Sequence, residues 1–183
     1  KAEFSDRVHF TNLDLLAQLT NQWEKQAVVL LIHQGNWEWM LHGAMSRLPV
    51  SVDPVYKRLH SDFWEQTMLE SRSRFGATPM ALDQVGREVI RGRRKKRVIV
   101  LVADQTGPRE GGYWTNFLNR PASFYRGPEK LAQSLKLPVV FAQCLRVRRG
   151  HYEIRLHKLA EEPPGDADEL LDSYVRMAER MIA

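Results

Sequence analysis

The chain has 183 residues, 43% of them hydrophobic and 27% charged, which is enough for one well-filled core and short for two. Its one cysteine, Cys144, excludes an internal disulfide framework, and no apolar run approaches the roughly 20 residues that cross a bilayer. The net charge of +5 is concentrated in residues 87–97, which hold seven bases and one acid and leave 20 bases against 21 acids elsewhere. Such a patch suits nucleic-acid phosphate, anionic lipid headgroups or an acidic protein partner. Aromatic side chains are not interleaved with it, which argues against nucleic acid.

No internal period, linker or low-complexity tract interrupts the pattern. Apolar, β-branched runs without helical period predict buried strands at 28–32, 50–56, 98–102 and 139–145. Three-to-four spacing of apolar residues predicts helices at 37–47, 60–75, 83–93 and 126–135. Residues 104–125 form a connection of 22 residues with three glycines and two prolines, and a loop of that length in a compact domain is usually functional. Alternation over 153–159 predicts an edge strand pairing antiparallel with 139–147 through Arg149-Gly150. A closing helix over 166–182 carries Leu170, Leu171, Tyr174, Val175, Ala178 and Met181 on one stripe. Strands alternating with helices give an α/β fold with a mixed, largely parallel central sheet flanked by helices.

The densest chemical signal is Ile32-His33-Gln34-Gly35-Asn36-Trp37-Glu38, where a buried strand ends, a glycine permits a turn and a helix begins. Ligands collect at the carboxyl ends of strands in open α/β sheets. A separation of five residues puts His33 and Glu38 about 140° apart on a helix and on opposite faces of a strand. A strand, a turn at Gly35 and one helical turn would instead bring the carboxylate beside the imidazole, to fix its tautomer and raise its basicity. Asp104 ends the strand at 98–102, at the same edge of the sheet as His33, so a shared cleft is expected. Ser46, Ser51 and Cys144 lie outside any nucleophile-elbow pattern, so the attacking hydroxyl belongs to a substrate. Glu38 and His42 are spaced i, i+4, but the two-histidine zinc spacing is absent and no metal is expected.

The run His33-Gln34-Gly35-Asn36-Trp37-Glu38 resembles the H-x-x-x-x-D/E motif of the glycerolipid acyltransferase superfamily, in the H-x-G-N-W-E form of its lipid A biosynthesis (lauroyl/myristoyl) branch. Val55-Tyr56-Lys57, Arg72-Ser73-Arg74-Phe75-Gly76, Asp104-Gln105 and Phe117-Leu118-Asn119-Arg120-Pro121-Ala122 agree with it in order, and the likeness spans about residues 7–182. What the resemblance implies is one acyltransferase domain over 1–183 with a glycerolipid-acyltransferase-like fold. It also implies an acyl carrier protein thioester as donor and a hydroxyl of an anionic lipid A precursor as acceptor.

The same resemblance makes His33 the general base and Glu38 its orienting carboxylate, with no metal or organic cofactor. Gly35, Asn36, Arg72, Arg74, Asp104, Gln105 and Arg109 then bind substrate, Arg74 and Asp104 lying in the acceptor or oxyanion site. Work at the cytoplasmic face of a bacterial inner membrane follows, with acyl carrier protein and anionic membrane lipid as partners and no nucleic acid. The basic run would draw the carrier and the lipid surface.

The hydrophobic N-terminal anchor and tryptophan-rich basic C-terminal segment usual in that family are not seen in this chain. Asp104-Gln105-Thr106-Gly107-Pro108-Arg109 stands where phospholipid-making relatives carry E-G-T-R. Another lipid acceptor, acylated from a carrier or from acyl-CoA, is the neighbouring reading; a non-catalytic module holding RNA or membrane is the reading of a different class.

Overall fold

The computed structural model describes residues 2–182. It opens with α1 (Ala2–Arg7), β1 (Val8–Phe10) and α2 (Leu13–Leu19), followed by β2 (Ala27–Leu31), α3 (Trp37–Arg47), β3 (Ser51–Tyr56), α4 (Asp62–Ser73), β4 (Met80–Ala81), α5 (Val85–Arg91) and β5 (Arg97–Val102). A hairpin of β6 (Tyr113–Phe117) and β7 (Arg120–Phe124) comes next, then α6 (Gly127–Leu135), β8 (Val139–Arg148), β9 (His151–Ala160) and α7 (Ala167–Ile182). One seven-stranded sheet runs β1-β9-β8-β2-β5-β3-β4, and every pairing in it is parallel except β8 with β9. The mixed, largely parallel sheet read from the sequence is the one observed.

Parallel strands need covered crossovers, and that requirement explains why β2 is buried at all five positions. Alternation divides its side chains between two cores. Val29 and Leu31 pack with Leu16 of α2 and Met40, Leu41 and Ala44 of α3. Val28 and Leu30 pack with Leu131 and Ala132 of α6 and the predicted stripe of α7. Each such side chain contributes about 1.5–3 kcal/mol on burial. Gly43 is needed inside α3, because a Cβ there would lie 2.7 Å from Val8 of β1. No helix among the described residues is long and apolar enough to cross a membrane.

Three expectations are corrected. The strand near 153–159 is not an edge, because β1 pairs parallel to it through Val8, His9 and Phe10; three residues are too few to show a period. The connection 104–125 is not a loop throughout, since β6 and β7 form a hairpin whose turn puts Leu118 and Asn119 at positive φ. The basic run is not a uniform surface patch. Arg97 is 2% exposed and donates to Asp53 (3.0 Å) and Gln26 (3.3 Å), while Lys96 pairs with Glu24 at 2.7 Å. The run also lies at the start of β5, roughly 17 Å of strand away from the edge that carries His33.

Glu129, in the first turn of α6, is wholly buried and neither carboxylate oxygen makes a hydrogen bond. Burial pushes its acid up from the usual 4.5, against the weaker pull of its helix amides and Arg126. A raised folded-state value means stability that is complete below about 4.5 and lost as pH rises through the folded value. Glu129→Gln removes that titration. Its melting temperature relative to the parent should therefore climb between pH 4.5 and 8 in a thermal-unfolding series; a flat difference across that range refutes the assignment.

Candidate active site

The site grows out of the pairing of β2 with β5. Leu31 stands opposite Val102, and the Ala103 amide donates to the Leu31 carbonyl at 3.1 Å, so the chain leaves both strands at one level. Two residues farther on, Asp104 faces His33. One carboxylate oxygen accepts the His33 backbone N–H at 2.9 Å and the other meets the imidazole Nδ1 at 2.6 Å. With Nδ1–H donating to the carboxylate, the basic lone pair sits on Nε2, on a side chain that is 39% exposed. Tyr174 of α7 donates its hydroxyl to the Leu31 carbonyl at 3.1 Å and props the strand end from below.

The turn that follows is built by close packing. Gly35 has φ +69°, and a Cβ on it would lie 2.7 Å from both the carbonyl oxygen and the Sγ of Cys144. The Asn36 amide approaches the same sulfur at 3.5 Å, and the Asn36 side chain caps α3 by accepting from the Trp39 amide at 3.0 Å. Cys144 is 5% exposed and burial pushes its thiol up, which suits support rather than nucleophilic attack.

Glu38 does not reach the imidazole. Because α3 starts at Trp37, that indole meets the His33 ring edge-on at 6.4 Å, and Glu38, one residue on, turns toward α4. There it accepts from Arg72 through Nη2 at 2.7 Å and Nε at 3.2 Å. The Arg72 guanidinium, 11% exposed, lies 4.8 Å from the Trp37 ring centre and 5.9 Å from that of Tyr56. The carboxylate on His33 is thus Asp104, and Glu38 belongs to an ion pair behind it. Spacing along the chain paired His33 with Glu38, whereas the parallel register of β2 and β5 brings Asp104, expected in the same cleft, onto the ring.

Gln105 and Arg109 are exposed on the segment after Asp104, which is tied down by Gly107 N–H to Ser123 O (2.7 Å) and by Trp114 Nε1 to Arg109 O (3.0 Å). Arg74 is not brought to His33. It lies over Phe75 at 5.9 Å and beside His42, whose protonation is disfavoured first by burial and then by that cation, against the pull of Glu38. Among the described residues no group of histidine, cysteine and carboxylate side chains could hold a metal ion. An apolar cleft between α2, α3 and the sheet, about 500 Å³ counted with its open mouth, is lined by Phe10, Leu13, Trp37, Met40, Leu41 and Ala44 among others. The cavity itself holds about 40 Å³, and the rest is open space at its mouth. Trp37 belongs both to this cleft and to the surroundings of His33.

Gly35→Ala should cost about 1–3 kcal/mol in chemical denaturation, since it combines strain at positive φ with a collision. Adding Cys144→Ala removes the sulfur but leaves the carbonyl, so it should recover only part of the loss; full recovery would locate the constraint in the sulfur alone.

Comparison with curated proteins yields no significant match. The model of the family described as bacterial lipid A biosynthesis acyltransferase matches residues 1–183, the whole chain. The order of blocks noted in the sequence, a His–Asp pair at the carboxyl edge of a parallel sheet and this full-length match agree, and the chain belongs to the bacterial lipid A biosynthesis acyltransferase family, a family of acyl-transferring enzymes.

Proposed function

We propose that this acyltransferase moves a fatty acyl chain from an acyl carrier protein thioester to a hydroxyl of a lipid A precursor, at the cytoplasmic face of a bacterial inner membrane, with His33 as general base. The observation that carries this reading is the double contact of Asp104 with His33, which fixes the tautomer and turns Nε2 outward. Nε2 takes the proton of the acceptor hydroxyl as its oxygen attacks the thioester carbonyl. The tetrahedral oxyanion collapses, the C–S bond breaks, and the departing thiolate recovers the proton from the imidazolium, whose charge Asp104 has stabilised meanwhile. No acyl-enzyme forms, which agrees with the buried, unactivated Cys144.

The apolar cleft beneath Trp37 is the space we assign to the acyl chain, which would have to part the packing of α2 on α3 to enter. The acceptor's anionic groups go to the exposed Arg109 and Gln105 beside Asp104. Glu38 serves the site through Arg72, which holds Trp37 in place from its open face. Arg74, beside His42, is left out of the assignment. No metal or organic cofactor has a part in the scheme.

Turnover with carrier-bound and CoA-bound acyl donors, on a panel of lipid hydroxyl acceptors including a lipid A precursor, tests the reading. His33→Ala should nearly abolish transfer, and Asp104→Asn should lower kcat on the order of 100- to 10,000-fold, the span of general acid–base groups. Glu38→Gln should lose less activity and more stability, because it strands the largely covered Arg72. Wild-type turnover in His33→Ala removes the base, and a greater loss in Glu38→Gln than in Asp104→Asn returns the orienting role to Glu38.

A further inference from the structure

The helix α4 has twelve residues and not one of them is buried. At its start Phe63 is 69% exposed and Trp64 57%, the two rings packed edge to face at 5.2 Å, and Leu59 just before them is 46% exposed. An amphipathic helix normally turns such side chains inward. A second protrusion carries the same chemistry: the end of β8, still paired with β9 but past its last pair with β2, has Leu145 at 36% and Val147 at 67% exposure, alternating with Arg146 and Arg148.

Register puts both protrusions at the edge that holds His33. Phe141 of β8 stands level with Leu30, so Leu145 lies four residues beyond that level, where His33 lies three beyond it. Pro54 of β3 stands opposite Val100, so Tyr56 ends β3 level with Val102, and Leu59 follows just beyond. In the sheet order β8-β2-β5-β3, the strands leading to His33 and Asp104 are the central pair and the two apolar tips flank them. Lys57, Arg58, Arg146, Arg148 and Arg149 accompany the tips, against Asp62, Glu65, Asp83 and Glu153, and Arg58 is paired with Glu65 and Asp83 while the other bases are left to face headgroups.

We infer that these tips, Leu59-Phe63-Trp64 on one side and Leu145-Val147 on the other, insert into the interfacial region of an anionic lipid bilayer and set the mouth of the site on the membrane. Bulky apolar and indole side chains with neighbouring cations are the chemistry of interfacial binding, and each buried side chain adds to it while the bases draw anionic headgroups. The concentrated basic run at 93–96 faces away, at the opposite edge, and is not the docking surface. The inference deepens the proposed reaction on a lipid acceptor and rests on it for its purpose.

The test is cosedimentation of the 183-residue chain with vesicles of phosphatidylethanolamine and phosphatidylglycerol, with no acyl donor present, so a failure of the proposed chemistry leaves the result readable. Phe63→Ser with Trp64→Ser, and separately Leu145→Ser with Val147→Ser, should each weaken partitioning about tenfold or more. Ile90→Ser, an equally exposed apolar residue toward the other edge, and glutamine at Arg93, Arg94, Lys95 and Lys96 should leave it nearly unchanged. On a short-chain acceptor dispersed in detergent the tip variants should turn over like the parent. The inference is overturned if the parent does not bind vesicles, if the glutamine variant loses binding while the tip variants keep it, or if the tip variants keep vesicle binding and lose only the response to carrier-bound donor, which would make the tips a carrier-docking surface.

Discussion

The carboxylate of Asp104 holds two donors of His33 at once, its main-chain amide and its imidazole, and the carboxyl edge of the sheet is organised around that contact. It exists because β2 and β5 are adjacent, parallel and in a register that ends them together at Leu31 and Val102. A slip of one residue would reverse every side chain on a strand and separate the pair. Burial on both faces specifies that register strongly: Val28 and Leu30 belong to one core, Val29 and Leu31 to the other. The hydrophobic layers and the position of the His33 imidazole are one constraint.

Around this contact the polar groups are satisfied in pairs that keep charge from competing for the imidazole. Arg72 takes Glu38, so the second carboxylate of the motif is neutralised a short distance behind the site. The same guanidinium lies over Trp37, whose other neighbours are the His33 ring and the apolar cleft. Gly35, Cys144 and Asn36 form the tight turn between strand and helix, and Tyr174 supports the end of β2 from the opposite layer. A residue behind the site thus bears on the shape of the cleft through a stack of planar groups.

The two edges of the sheet have separate tasks. At the amino edge the charges are structural: Arg97 and Asp53 are buried together and Gln26 completes their hydrogen bonds. At the carboxyl edge Arg109 is exposed and Asp104, Glu38 and Arg72 are partly covered, with apolar side chains left in solvent on either side. A buried pair of the first kind is destabilising to break, whereas exposed charges cost little to change and are open to selection for a partner.

Much of this was legible in the linear pattern. Long β-branched runs with no helical period mean parallel strands buried on both faces, and β2, β3, β5 and β8 were recognisable on that ground alone. The stripe of α7 was equally plain, because sixteen residues give its period room to repeat. The strand, glycine and helix around His33 were legible as well, because a buried run, a turn residue and a cap follow one another there. The short elements β1 and β4 carry too few residues for any period, and they exist only because the sheet supplies a neighbour to pair with. The partner of His33 was decided by strand order, which puts residue 104 beside residue 33 and turns residue 38 toward another helix. The basic run shows the same limit: sequence counts charges, but only the fold decides that Arg97 is interior, that its neighbours lie at the far edge, and that the exposed aromatic pair follows β3 at the edge that carries His33.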